Sequence, residues 1–142
     1  MNDYDKQWCK GILDYLSKWG LAHPFQKPVN PERDGAPKYL EIIQHPMDIS
    51  TMKKKFTQGE YLTIEPFMDD IYLICDNAIK YNGENSMLAF IANDIKSWAK
   101  TQYEEKPPSA EIEWVNKLEN VLEKLLDHVK QYKTSLLNEV SS

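Results

Sequence analysis

Apolar residues recur every three or four positions along most of this chain, which is the spacing of amphipathic helices. Polar and apolar residues nowhere alternate between turn dipeptides, as they do in half-buried strands. The pattern therefore predicts an all-α fold. Four stretches in the first hundred residues carry it most clearly, at 8–19, 49–56, 67–81 and 88–99.

Capping and stop residues stand at the ends of these stretches. Gly20 is expected to end the first helix, and Asn82-Gly83 to end the third. Asp48 and Ser86 are expected to cap the second and fourth, because their side-chain oxygens can accept from free backbone N–H groups. Thr63 is expected to cap the third helix in the same way, with Pro66 tolerated in its first turn.

A long irregular connection, 21–47, separates the first two helices. It contains five of the eight prolines, which exclude a continuous helix, and only a short turn at 39–43 is expected to be helical. Connections of this length inside a compact domain are uncommon and are usually functional. We therefore expect this loop to carry part of the site.

The last segment follows Pro107-Pro108 and repeats its apolar residues in alternating steps of three and four, a heptad pattern. We expect a four-helix domain at 1–106 and a helical extension at 107–142. The extension is expected either to dock on the bundle or to dimerise. The apolar residues of its repeat are Val115, Leu118, Leu122, Leu125, Val129, Tyr132 and Leu136.

Composition narrows the classes of function. The net charge of -5 argues against nucleic acid as a direct partner, since phosphate binding needs a basic face. The two cysteines, Cys9 and Cys75, are expected to be buried and reduced. No nucleophile–base pair, phosphate-cradling glycine loop or metal-ligand spacing is present, so we expect no catalysis, no metal and no cofactor. No apolar run is long enough to cross a bilayer, and no membrane partner is expected.

In an antiparallel bundle, the loop after the first helix and the loop before the fourth lie at the same end. Phe25, Val29 and Leu88 would then line a pocket in which Tyr39 and Asn82 are the polar groups. Apolar walls with few polar groups are usual for small-ligand sites. Each part also has a purely structural interpretation: Asn82 as a helix end, Phe25 as a core residue, and Tyr39 as a tie between loop and bundle.

The order of four short segments favours the binding site over the purely structural interpretations. The motifs His23-Pro24-Phe25 to Val29, Pro37-Lys38-Tyr39-Leu40-Glu41-Ile42-Ile43, His45-Pro46-Met47-Asp48 and Asp76-Asn77-Ala78-Ile79-Lys80-Tyr81-Asn82 closely resemble the bromodomain pattern in order and nearly in spacing. The resemblance covers about residues 5–103. It implies a left-handed antiparallel four-helix bundle with a long loop between helices 1 and 2.

The resemblance also implies a role for each site residue. Asn82 matches the asparagine that anchors acetyl-lysine, and Tyr39 the tyrosine that holds a water. Val29 lies beside the acetyl group, Leu88 matches the gatekeeper, and Tyr81 helps to shape the pocket. The shelf beside the pocket matches His23, Pro24 and Phe25.

Some positions depart from the best-known bromodomains. His23 replaces a shelf tryptophan, Gly83 replaces a common proline, and Leu40 stands where many have a second tyrosine. Asp34 and Ala36 replace apolar loop residues. These changes affect the expected ligand preference, and Leu88, smaller than an aromatic gatekeeper, suggests a roomier mouth.

The resemblance implies a non-enzymatic module that binds acetylated lysine, with histone tails as the expected partner in the nucleus. We expect a monomer rather than a dimer. The alternative is a protein-protein interaction or dimerisation domain that works through the heptad repeat of the extension.

Overall fold

A computed structural model of the chain describes residues 1–141, which are 74% helical and contain no strand. The predicted all-α fold is confirmed, with four long helices in the first 105 residues and one after them. A 3-10 helix, Gly20–Phe25, follows the first helix. The α-helices are α1 Asp3–Lys18, α2 Tyr39–Ile42, α3 Ile49–Thr57, α4 Ile64–Asn82, α5 Met87–Glu105 and α6 Ala110–Ser141.

Two of the three predicted N-caps make the expected hydrogen bond. The Asp48 carboxylate accepts from the Thr51 backbone N–H at 3.1 Å, and the Ser86 hydroxyl accepts from the Ala89 N–H at 3.1 Å. Thr63 occupies the N-cap position of α4, but its side chain accepts no capping bond there. These caps fix where α3 and α5 begin, and so fix the ends of the loops that precede them.

The two predicted helix stops differ in outcome. Gly83 follows the last residue of α4 with a φ of 89°, so the expected end at Asn82-Gly83 is correct. The end expected at Gly20 is one residue late, because α1 stops at Lys18 and Trp19 is its extended C-cap. The Trp19 ring packs against Trp98 with centroids 5.4 Å apart, and Gly20 begins the 3-10 helix instead.

The core forms between α1, α3, α4 and α5. Its largest fully buried side chains include Phe67 and Ile71 of α4, Leu16 of α1 and Met52 of α3. A smaller cluster in the long loop contains Tyr39 and is packed against Tyr81, which belongs to α4. The loop thus has its own apolar contact with the bundle, next to the end of α4.

Polar side chains also tie the long loop to the bundle. The Gln26 amide donates to the backbone carbonyl of Leu16 at 2.8 Å, which fixes the start of the loop on α1. The buried Asn77 amide donates to the carbonyl of His45 at 2.8 Å, which fixes its end on α4. The loop is therefore held at both ends although it contains little regular structure.

Both cysteines are buried, as predicted. Burial raises the pKa of the Cys75 thiol to about 12, so this group is protonated and shielded near neutral pH.

We expect neither thiol to react with a water-soluble maleimide at pH 8 in the folded protein, because only an accessible thiolate is a good nucleophile. In guanidinium chloride both should react, since unfolding removes the burial. Mass spectrometry after timed quenching measures this directly. If the folded chain were labelled as fast as the unfolded chain, this result would contradict the burial of Cys9 and Cys75.

Backbone contacts separate Met1–Glu105 from the segment that starts at Lys106. Within that segment, α6 contains no buried residue, and Lys117 pairs with Glu113 one turn earlier at 3.1 Å. Whether the extension docks or dimerises stays a prediction. Its last residue, Ser142, lies outside the described residues. None of the helices described combines the length and apolar character that a membrane span requires.

Candidate functional site

A cavity of about 480 Å³ opens between the long loop and the end of α4. A smaller one of about 70 Å³ lies against it and reaches the core residues Phe25, Met47, Ile74 and Ala78. The two cavities form a mouth and a floor, because the same side chains line both. The shared residues are Pro24, Lys27, Val29, Tyr39, Asn82 and Leu88.

The structure brings all eight predicted site residues together around this pair of cavities. His23 and Tyr81 line the mouth alone, and Phe25 lines the floor alone. The other five line both. The roles assigned to these side chains remain predictions, but their juxtaposition comes from three separate parts of the chain: the 3-10 helix and loop, the end of α4, and the start of α5.

Asn82 is the last residue of α4 and is solvent-exposed. Its side-chain nitrogen donates to the backbone carbonyl of Ala78 at 2.9 Å, one turn earlier in the helix. A carboxamide nitrogen carries two N–H groups, so this bond orients the amide and leaves a second donor for a ligand. The helix end thus presents a positioned donor beside apolar walls.

Tyr39 and Tyr81 form the second polar part of the site. Their rings meet edge to face with centroids 5.0 Å apart, and the Tyr81 hydroxyl donates to the Pro37 carbonyl at 3.0 Å. Burial, and then the neighbouring Tyr81, raise the pKa of Tyr39. Tyr39 therefore keeps its proton at neutral pH, and among the described residues its hydroxyl has no hydrogen-bond partner, which leaves it available to a water or a ligand.

Sequence reasoning missed the floor of the site. Ile74 and Ala78 lie in the amphipathic stretch 67–81, whose apolar face also closes the inner cavity. Met47, which precedes the Asp48 cap, completes this apolar floor. A helical pattern distinguishes the buried face from the exposed one, but it does not show where a buried face borders a cavity.

One ion pair stands at the mouth. The Arg33 guanidinium lies 2.9 Å from the Asp34 carboxylate and also donates to the Pro28 carbonyl at 3.2 Å. Asp34 is the only carboxylate among the residues lining either cavity, and the hydrogen bond from Arg33 lowers its pKa. The one negative charge at the site is therefore already paired, while the floor has none.

Across residues 1–141, no three side chains of the His, Cys, Asp or Glu type lie together as metal ligands would. Besides apolar walls, the cavities are lined by the polar side chains of His23, Gln26, Lys27, Arg33, Asp34, Tyr39, Tyr81 and Asn82. This set suits recognition of a neutral polar group on an apolar stem.

Comparison with known proteins shows which family the chain is similar to. The family model named Bromodomain matches residues 9–94, which is more than half of the chain. An ankyrin repeat, bromo and BTB domain-containing protein of Dictyostelium discoideum is 38% identical over 86 residues. A bromodomain-containing protein of Schizosaccharomyces pombe is 32% identical over 106 residues, and the SWR1 complex bromodomain subunit bdf1 of the same yeast is 29% identical over 130.

These matches cover 61%, 72% and 89% of the chain, in the same order. The chain, however, spans only 11%, 15% and 22% of the lengths of those relatives. The similarity therefore concerns one module of each larger protein.

Proposed function

Because this chain belongs to the bromodomain family, whose members are generally acetyl-lysine readers, we propose that it binds acetylated lysine side chains in the cavity beside Asn82. The observation that carries the proposal is the Asn82 amide, oriented by its bond to Ala78 and left with a free donor at the edge of an apolar cavity. In this proposal the free N–H of Asn82 donates to the acetyl carbonyl.

The remaining site residues complete the recognition of the acetyl group. The Tyr39 hydroxyl reaches the same carbonyl oxygen through a bridging water. Val29 and Phe25 enclose the methyl group and the aliphatic stem, and Leu88 lines the way in. Apolar burial and one or two hydrogen bonds support micromolar to millimolar dissociation constants for a short peptide.

Discrimination against unmodified lysine follows from the charge at the site. An ammonium group entering the inner cavity meets Phe25, Met47 and Ile74 and no carboxylate. It would lose its hydration without gaining a partner, which costs several kcal/mol or forces deprotonation. Asp34 offers little compensation, because it lies at the mouth and is paired with Arg33.

We also propose the setting of this module. Histone tails are the expected ligands, in the nucleus, and the similarity to a subunit of the SWR1 complex supports this chromatin role. Bromodomains are generally non-enzymatic readers, so we propose that the chain itself binds without catalysing a reaction. A larger protein containing this module can still have other activities in its other domains.

A paired titration tests the proposal. A panel of histone-tail peptides, each made with and without acetyl groups on its lysines, is titrated against the chain by isothermal calorimetry. We expect measurable binding for one or more acetylated peptides and none for their unmodified partners. Equal affinity within each pair would indicate attraction of basic peptides to the acidic domain, and would overturn the proposal.

A more conservative change tests the role of Tyr39. Replacing Tyr39 by Phe removes one hydroxyl and leaves the edge-to-face contact with Tyr81 in place. We expect acetyl-peptide binding to weaken by about 2- to 13-fold, which corresponds to the roughly 0.5–1.5 kcal/mol of one hydrogen bond. Thermal unfolding should change little, because the hydroxyl has no protein partner among the described residues. Unchanged affinity would remove the bridging water from the proposed mode.

A further inference from the structure

The helix α6 carries a continuous apolar stripe that the acetyl-lysine site does not use. All seven residues of its heptad repeat are between 41% and 67% exposed. The helix spans Ala110–Ser141, so it is about 48 Å long at 1.5 Å per residue. Seven regularly spaced, half-exposed apolar side chains on one helix are characteristic of a surface that pairs with another helix.

We propose that α6 pairs with α6 of a second copy of this chain in an antiparallel, two-stranded coiled coil. This inference departs from the expectation of a monomer, which favoured docking of the extension on the bundle. The partner is identified by the charges of α6 itself, because Glu119 of one copy and Lys133 of another come together in an antiparallel pair.

Charge is distributed unevenly along α6. The first part, 110–123, contains four carboxylates and one lysine, a net charge of 1 − 4 = −3. The later part, 129–137, contains Lys130 and Lys133 and no carboxylate. Parallel pairing would place the acidic parts of the two copies beside each other, and the basic parts likewise. Antiparallel pairing avoids this repulsion, because the later part of each copy then lies opposite 117–125 of the other, where two carboxylates balance two lysines.

The heptad residues also fit an antiparallel register. With Leu125 opposite Val129 of the second copy, Leu122 lies opposite Tyr132 and Leu118 opposite Leu136. Two-fold symmetry repeats these three pairs, which gives six apolar layers. Covering the six paired side chains of each helix would bury on the order of 1,000 Å², near the smallest area of specific interfaces.

The positions flanking this seam supply one specific ion pair. Glu119 and Lys133 each directly follow a seam residue, Leu118 and Tyr132. In the antiparallel register, Glu119 of one copy lies within about 3 Å, along the axis, of Lys133 of the other. In a parallel pair, Glu119 would lie beside Trp114 of the other copy, and Lys133 beside His128 of the other copy. Neither contact joins opposite charges.

Sedimentation velocity on the full chain is the first test. At about 100 µM we expect a species of twice the 16.6 kDa chain mass, a high concentration chosen because interfaces of this small area are usually weak. Leu125→Glu places a charge in the central layer and should give the monomer mass, with acetyl-peptide binding retained. A wild-type monomer would overturn the proposal, and so would a dimer that survives Leu125→Glu.

A charge exchange tests orientation and register together. Glu119→Lys alone and Lys133→Glu alone should each weaken the dimer by about tenfold, because two ion pairs per dimer become repulsive. The double variant should return the dissociation constant to within about threefold of wild type. A double variant as weak as its parents would overturn the antiparallel register. Each variant changes only an exposed side chain of α6, so its fold is not at risk.

A distance measurement separates the two orientations independently. Asn116→Cys carries a nitroxide label on the exposed side of α6, while Cys9 and Cys75 are buried. In the antiparallel dimer the two labels lie about 33 Å apart along the axis. In a parallel dimer they lie at the same height and less than about 20 Å apart. A short distance from pulsed electron resonance would overturn the proposal even if the chain is dimeric.

Discussion

Replacing Asn82 by Ala is expected to abolish measurable binding of acetylated peptides while leaving the helical circular dichroism nearly unchanged. The change removes the one free N–H donor that the end of α4 presents to the cavity. A buried acetyl carbonyl without a partner costs about 1–3 kcal/mol, a loss of roughly 5- to 150-fold. For a ligand that binds at about 100 µM or more weakly, the upper part of that loss moves the dissociation constant to about 15 mM, which removes the signal in a titration.

Two further variants make this result specific. Asn85→Ala removes the same side chain a few residues later, where it lines neither cavity, and should bind as wild type does. Asn82→Asp keeps the shape but replaces the donor with a carboxylate. It should lose the acetylated peptide and, alone among the variants, gain affinity for the unmodified one. Retention of acetyl-peptide binding by Asn82→Ala would show that the pocket has been assigned wrongly.

The second large effect concerns stability. Replacing Phe67 by Ala should lower the free energy of unfolding by about 3–5 kcal/mol, because it leaves a cavity where a fully buried ring now packs. The ring meets Tyr61 edge to face with centroids 5.4 Å apart, so an aromatic contact is lost as well. Total stabilities of small domains are about 5–15 kcal/mol, so this single change removes a large part.

Thermal unfolding followed by circular dichroism measures the loss, which corresponds to a fall of about 12 °C or more in the midpoint. The matched control is Phe90→Ala on α5, where the ring is 56% exposed. It should change the stability by no more than about 0.5 kcal/mol. Equal losses for Phe67 and Phe90 would contradict the placement of the core against this face of α4.

Most of the helices could be predicted from the sequence, because they are amphipathic and have clear capping or stop residues at their ends. The Asp48 and Ser86 caps and the stop at Asn82-Gly83 follow from local chemistry that no tertiary contact overrides. The end of α1 could not be obtained in that way. Trp19 leaves the helix to pack against Trp98, which lies far away in the sequence.

The candidate site could likewise be predicted only in part. Its polar residues were found from the order of short motifs, and the structure gathers them around one pair of cavities. The tie between Asn77 and the carbonyl of His45 was not found, because it joins a buried helix face to a loop across 32 positions. The ion pair between Arg33 and Asp34 was missed for another reason. An arginine next to an aspartate in a loop sequence does not show that the two side chains pair with each other.

The anchoring of the long loop has a consequence for kinetics. Gln26 holds its start to α1 and Asn77 holds its end to α4, and neither bond involves any of the eight proposed site residues. The receptor is thus preorganised, and a peptide need not induce order in the loop when it arrives. Encounter is then limited by diffusion and orientation rather than by a slow rearrangement. Peptides of different affinity should accordingly share similar association rates and differ in how long they stay bound.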